Sequence, residues 1–230
     1  MSRVPLEKKV LTENDRLAAE LRTRFRKHGI LCLNLISSPG AGKTTLLERT
    51  LEGFPKAERV AVLTGDIQTD NDARRLMRFG FPVRQITTAG ACHLDARMVE
   101  RALAEWRLDE LDLLFIENVG NLVCPASYDL GEAAKVVVLS VAEGDDKPLK
   151  YPAIFFRAEL LVLSKTDLLP HVPFKLASAR ENALRVHPGM EILEVSATSG
   201  AGLGGWREWL ADRRRATRAA TAAARNPGRT

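Results

Sequence analysis

The sequence is poor in cysteine, and its three thiols, Cys32, Cys92 and Cys124, are odd in number and without paired spacing. That excludes the disulfide framework by which small secreted domains are held together, and makes a reducing cytoplasm the expected compartment. There is no run of about 18 apolar residues, which excludes a membrane-spanning helix. The polar opening MSRVPLEKKVLTEND does not read as a signal peptide. No internal repeat and no Pro/Gly/Ser linker divides the 230 residues, so one α/β domain is expected. Acid is missing from the final stretch RRRATRAATAAARNPGRT, which holds six arginines and accounts for the net charge of +5. Such a segment reads as a basic alanine-rich tail, a frayed helix or disordered end, and nucleic acid is not an expected partner.

What is present is a regular alternation. Apolar residues make up 45% of the chain, enough for a full core. The short runs ILCLNLI, RVAVLTG, FPVRQIT, LDLLFIEN, AKVVVLSVA, AELLVLSK and the weaker MEILEVSA are nearly continuous in their apolar character. That is the pattern of strands buried on both faces of a parallel sheet. Helical stretches are expected between them at 45–52, 70–79, 94–106, 175–186 and 203–212. An opening helix capped by Thr12 carries Leu17, Leu21 and Phe25 on one face and ends at His28-Gly29. The expected organisation is an N-terminal helix (1–29), an α/β body with a mainly parallel sheet and helices on both faces (30–212), and the basic tail (213–230). In such a body ligands bind beyond the carboxyl ends of the strands.

The first of those ends reads SSPGAGKTT. Gly40, Ala41, Gly42, Lys43, Thr44 and Thr45 stand at the spacing of a phosphate loop between a strand and a helix. Glycines let backbone N–H groups curl around phosphate oxygens, and the helix N-terminus adds its positive end. Lys43 can reach the β- and γ-phosphates, and the Thr44 hydroxyl can coordinate Mg²⁺. The full pattern places glycine at position 37, where this chain has Ser37. Later, LVLSKTDLL sets Lys165 and Asp167 after a strand. An aspartate there can accept the two adjacent donors of a guanine edge, which adenine lacks, so GTP and GDP are the expected nucleotides. The stretch SATSGAGL, with Ser196 and Ala197, resembles the loop that closes over guanine in GTPases. Asp66 and Glu117 end two further strands, where a carboxylate can hold Mg²⁺ or orient water. Glu117 and Gly120 frame a D-x-x-G switch pattern with Glu in place of Asp. No water-positioning glutamine and no arginine finger stands out, so intrinsic hydrolysis is expected to be slow.

Three residues lie outside the needs of a nucleotide. Cys92 and His93 occupy TTAGACHLDA, after one strand, and Cys124 follows the strand that ends in Glu117. If both strands belong to one parallel sheet, the loops emerge on the same edge. Thiolate and imidazole suit Zn²⁺ or Ni²⁺ rather than Mg²⁺. Three ligands leave a position open or filled by a second copy, which suits a metal that is passed on. Cys32, inside a strand, reads as a small buried hydrophobe.

Taken together, SSPGAGKTTLL, LTGDIQTDNDA, TTAGACHLDA, IENVGNLVCPASYDLGE, SVAEGDDKPLKYP and SKTDLL resemble the HypB family, GTPases of the SIMIBI type that assist nickel insertion into [NiFe]-hydrogenase. The resemblance covers residues 31 to about 209. It implies Cys92, His93 and Cys124 as ligands for Ni²⁺ or Zn²⁺, a homodimer formed with GTP and Mg²⁺, a HypA-type nickel metallochaperone as partner, and the hydrogenase large-subunit precursor as destination. The N-terminal C-x-x-C-G-C or histidine-rich nickel motif of several members does not occur in MSRVPLEKKVLTEND, so nickel storage through that stretch is not expected. Competing expectations are a urease-accessory-like GTPase, an ATP-dependent small-molecule kinase, and a zinc-stabilised interaction module.

Overall fold

The computed structural model describes residues 6–68 and 70–225, with side chains from Val10 onward. Thr69 of the LTGDIQTDNDA motif and the ends of the two expected terminal segments, 1–5 and 226–230, lie outside the described residues. Among the described residues the strands are β1 (Leu31–Ser37), β2 (Val60–Asp66), β3 (Val83–Thr87), β4 (Leu113–Glu117), β5 (Ala134–Ser140), β6 (Leu160–Ser164) and β7 (Glu191–Val195). They form one seven-stranded sheet in the order β3-β2-β4-β1-β5-β6-β7. Every pairing is parallel.

The helices are α1 (Leu6–His28), α2 (Lys43–Glu52), α3 (Asn71–Met77), α4 (Ala96–Leu103), α5 (Lys147–Lys150), α6 (Pro152–Phe156), α7 (Leu176–Val186) and α8 (Leu203–Arg225). Alternate residues of each strand serve opposite faces. Leu31, Leu33 and Leu35 of β1 pack with Leu47 of α2, Leu76 of α3 and Trp206 of α8. Cys32 faces the other way, among Leu21 and Phe25 of α1 and Val99 of α4. Further along that second face, Val137 and Leu161 meet Phe155 of α6 and Ala183 of α7. Both faces are covered, which is why the strands read as continuous apolar runs. Order in the sheet reverses about β1, flanked by β4 and β5, so the topological switch point lies at the carboxyl ends of β1 and β4.

Three expectations need correction. Thr12 does not cap α1, which is already helical from Leu6. The expected boundary at 212/213 does not exist in the backbone, because α8 runs unbroken from Leu203 to Arg225. Alanine and arginine are strong helix formers, and the arginines find acids on the body: Arg214 pairs with Glu58 at 2.5 Å and Arg218 with Asp112 at 3.0 Å. Thr221 donates to the carbonyl of Arg26 at 3.2 Å, tying α8 to the end of α1. The helices α5 and α6 are not legible in the sequence, since each is too short for a period; Pro148 is the second residue of α5 and Pro152 the first of α6.

Candidate nucleotide and metal sites

The phosphate loop bridges β1 and α2 at the switch point. Gly40 and Gly42 hold positive φ, 74° and 99°, a conformation glycine adopts without strain. Ser37 does not, and is still part of the strand. A glycine is therefore not required there, and the serine has a use: its Oγ accepts from Lys43 Nζ at 2.8 Å. Lys43 is almost wholly buried, and burial pulls its ammonium below the usual lysine range.

A cleft of about 780 Å³ opens over this loop. Lys43, Thr44, Thr45, Asp66, Glu117, Gly120 and Lys165 all line it. Gly120 approaches so closely that a Cβ would lie 2.9 Å from Pro39 Cα, so the switch turn and the phosphate loop are in contact. Thr44 donates its hydroxyl to Glu117 Oε1 at 2.7 Å. Glu117 Oε2 is buried without a hydrogen-bond partner. Burial raises the carboxyl from 4.5 to about 7, with Lys43 and the Thr44 hydroxyl pulling the other way. A buried carboxylate oxygen left over beside a threonine hydroxyl fits a hard cation, and Thr44, Glu117 and Asp66 are the residues that could hold Mg²⁺. Asp66 Oδ1 accepts from the Gln68 N–H at 2.8 Å.

Several cleft residues have no role assigned from the sequence, two of them charged. Asp72 and Arg75, from α3, line it beside Thr45. Arg75 Nη2 is 3.3 Å from Thr45 Oγ1 and 2.7 Å from Glu48 Oε2, so the cation is anchored on α2. Both residues sit in a helical turn of ordinary surface composition, and only the packing of α3 on α2 brings them to the cleft.

Beside the cleft a pocket of about 210 Å³ is lined by Gly42, Val162, Lys165, Asp167, Ala197 and others. Lys165 takes a left-handed backbone, φ 58°, at the end of β6. Its stem lies over the phosphate loop, with Cε 3.8 Å from where a Gly42 Cβ would be. Asp167 Oδ1 accepts from Ser196 Oγ at 2.5 Å, and Ser196 Oγ accepts from the Ser199 N–H at 3.1 Å. Ser164 donates to the Ala41 carbonyl at 2.7 Å, joining the base pocket to the phosphate loop. The pocket has apolar lining from Leu46, Val162, Leu168 and Val195 and one carboxylate, Asp167, which could accept the donor edge of a guanine.

The remaining three residues meet on the same sheet edge. Cys92 and His93 lie between β3 and α4, and Cys124 opens the 3-10 turn Cys124–Ala126 after β4. Their ligand atoms all lie within 4.8 Å of one another. Cys92 Sγ stands 2.8 Å from Cys124 Sγ and 3.8 Å from His93 Nδ1. Two sulfurs bound to one tetrahedral Zn²⁺ at about 2.3 Å each would stand about 3.8 Å apart, so a metal of that kind would spread the pair. The Cys92 hydrogen bond and burial hold the Cys124 thiol above its usual range, and burial holds the His93 imidazolium below its own. A neutral imidazole is the ligand form. Tyr128 stacks on the His93 ring, centroids 3.8 Å apart, and Asn121 Nδ2 donates to the Cys92 carbonyl at 3.3 Å. Cys32 is wholly buried and distant in role, as expected.

Fold and site define a P-loop GTPase with a second cluster, of two thiols and an imidazole, that could hold a soft metal ion. The chain belongs to the CobW/HypB/UreG family, whose nucleotide-binding domain model matches residues 31–194, and within it to the HypB hydrogenase maturation factors. It is 55% identical over 215 residues to hydrogenase maturation factor HypB of Azotobacter vinelandii, covering 93% of this chain and 70% of that protein. The hydrogenase/urease maturation factor HypB of Helicobacter pylori is 43% identical over 216 residues, 92% of this chain and 88% of that one. Among solved structures, HypB from Helicobacter pylori in complex with nickel matches with a TM-score of 0.83 at 42% identity, over 88% of this chain and 95% of that chain. HypB from Archaeoglobus fulgidus matches with the same TM-score at 37% identity, over 88% and 99%.

Proposed function

We propose that this GTPase couples its nucleotide cycle to the delivery of nickel, with Cys92, His93 and Cys124 as the cargo site. The observation that carries the reading is the loop from Glu117 to Cys124, one end of which lies in the nucleotide cleft and the other in the thiol–imidazole cluster. In this reading Gly40–Thr45 cradle the phosphates, and Lys43 neutralises the β- and γ-phosphates. Asp167, Lys165, Ser196 and Ala197 select guanine. Thr44, Glu117 and Asp66 hold Mg²⁺, which when bound neutralises the charge on the phosphates. The cargo is Ni²⁺, and Zn²⁺ suits the same donors.

The working unit is a homodimer formed with GTP in the cytoplasm, supplied by or supplying a HypA-type metallochaperone and serving the hydrogenase large-subunit precursor. Support comes from apolar side chains at the rims of both sites: Ile67 beside Asp66 is 40% exposed and Val123 beside Cys124 is 60% exposed. A second copy closing on that edge would take both side chains out of water. No helix among the described residues is long and apolar enough to cross a membrane.

The test is a nickel titration of the nucleotide-free, GDP-bound and GTP-analogue-bound protein, with sedimentation mass recorded in each state. Distinct nickel affinities and a doubled mass with the analogue are expected. One affinity across all three states refutes the coupling.

A further inference from the structure

Between the nucleotide cleft and the metal cluster lies a buried side chain whose hydrogen bonds touch both. Asn118, directly after Glu117, is 2% exposed. Its Oδ1 accepts from the backbone N–H of Val119 at 3.0 Å and from that of Leu94 at 3.1 Å. Its Nδ2 donates to Asn34 Oδ1 at 3.2 Å. Asn34 stands on β1, which leads into the phosphate loop, and its Nδ2 donates to Glu132 Oε1 at 3.2 Å. Glu132 is paired with Lys135, whose Nζ also donates to the carbonyl of Tyr128, the residue stacked on His93.

Leu94 is the residue after His93, and both nucleotide-side segments grip it. Its side chain is wholly buried against Gly65, where an added Cβ would stand 2.8 Å from Leu94 Cγ. Gly65 precedes Asp66, and the Asp66 carbonyl accepts from the N–H of Thr88 at the root of the metal loop, at 3.0 Å. The amide oxygen of Asn118 has two lone pairs, and two backbone donors use them. If the turn after Glu117 moves, the Leu94 N–H must follow Oδ1 or be left buried without a partner, which costs more than the bond itself contributes.

We propose that Asn118 is the positioning residue that carries nucleotide state to the Cys92–His93 half of the metal site, through its hydrogen bond from Leu94. The Glu117–Cys124 loop reaches Cys124 along the backbone, but Cys92 and His93 are on a different loop. Asn118 is what makes the two halves of the cluster move together. This rests on the reading that nickel affinity depends on nucleotide.

Two measurements test it. The first uses the unaltered protein, so folding of a variant is not at issue. Amide hydrogen exchange is compared in the GDP and GTP-analogue forms. Protection of the Leu94 N–H is expected to change about five-fold or more, the low end of ordinary coupling. The Ala96 N–H, held by Asn14 Oδ1 of α1 at 2.9 Å, is expected to stay constant. Equal Leu94 protection in both forms overturns the proposal. The second is Ni²⁺ titration in both nucleotide states for wild type, Asn118→Ala and Asn121→Ala. Asn121→Ala, which loses the bond to the Cys92 carbonyl, should weaken nickel equally in both states and preserve their ratio. Asn118→Ala should bring that ratio to within about two-fold of unity, where ordinary coupling is about 5–150-fold. A wild-type ratio in Asn118→Ala refutes the proposal and leaves the coupling standing. A ratio of one in wild type removes the coupling and the proposal with it.

Discussion

Replacing Glu117 by glutamine should make the empty protein more stable at neutral pH while disabling it for Mg²⁺ and GTP. The carboxyl is wholly buried, one oxygen accepts from Thr44 and the other has no hydrogen-bond partner. Folded, it keeps its proton up to about pH 7; free of the fold its value is 4.5. The unfolded chain therefore releases this proton earlier, and stability falls with rising pH between those two values, then levels off above the higher one. The gap corresponds to about 3 kcal/mol at full ionisation. Glutamine keeps the acceptor for Thr44 and carries no charge. Thr64, the register neighbour on β2, likewise has a buried hydroxyl with no hydrogen-bond partner. Against this, Lys43 loses a nearby counter-charge, so the net gain should be roughly 1–3 kcal/mol, or on the order of 2–10 °C in Tm for a chain of this size. The assay is thermal unfolding of nucleotide-free, Mg²⁺-free protein from pH 5 to 8.5. The two curves should converge at the acid end, diverge up to about pH 7 and run parallel above it. With Mg²⁺ and a GTP analogue the order should reverse, because only wild type gains stability from binding. A variant that is no more stable than wild type at pH 8 without ligand would show that burial does not govern this carboxyl.

Asp167→Asn should lower GTP affinity by about 10²–10⁴-fold, since two hydrogen bonds to a charged acceptor are lost at about 1.5–3 kcal/mol each. Xanthosine triphosphate, with a carbonyl in place of the guanine amino group, should regain binding; a competition assay reads both. Cys124→Ala should weaken Ni²⁺ by at least the 10–100-fold typical of losing even an outer-shell partner, with GDP affinity nearly intact, as measured by parallel titrations. Gly120→Ala places a methyl 2.9 Å from Pro39 Cα and should cost about 1–3 kcal/mol in unfolding free energy through overpacking; unchanged stability would mean that the switch turn does not rest on the phosphate loop.

Much of this protein is determined locally and is therefore legible in its residues. The strands announce themselves because both faces of the sheet are covered, which demands apolar side chains in succession. The phosphate loop does so because Gly40 and Gly42 need a backbone that other residues adopt only with strain. The residues around the pocket beside the phosphate loop are readable too, since Lys165, Asp167 and Ser196 each sit just beyond a strand end.

What lies between distant segments was decided only by the tertiary structure. Cys92 and Cys124 are 32 residues apart, and nothing in their own neighbourhoods sets their distance. They meet because β3 and β4 flank β2 in one parallel sheet and both release their loops at the same edge. Asp72 and Arg75 reach the cleft through the packing of α3 on α2, and residues 213–225 continue α8 along the body, where Glu58 and Asp112 stand where its arginines arrive. Asn118 is the sharpest case. Its sequence position marks it as an unremarked residue inside a switch pattern, and only the fold, by burying it between Asn34 and Leu94, makes its amide the joint between two sites. Backbone preference acts over a few residues, whereas a buried polar group takes its meaning from whichever partners the packing brings within 3 Å or so of it.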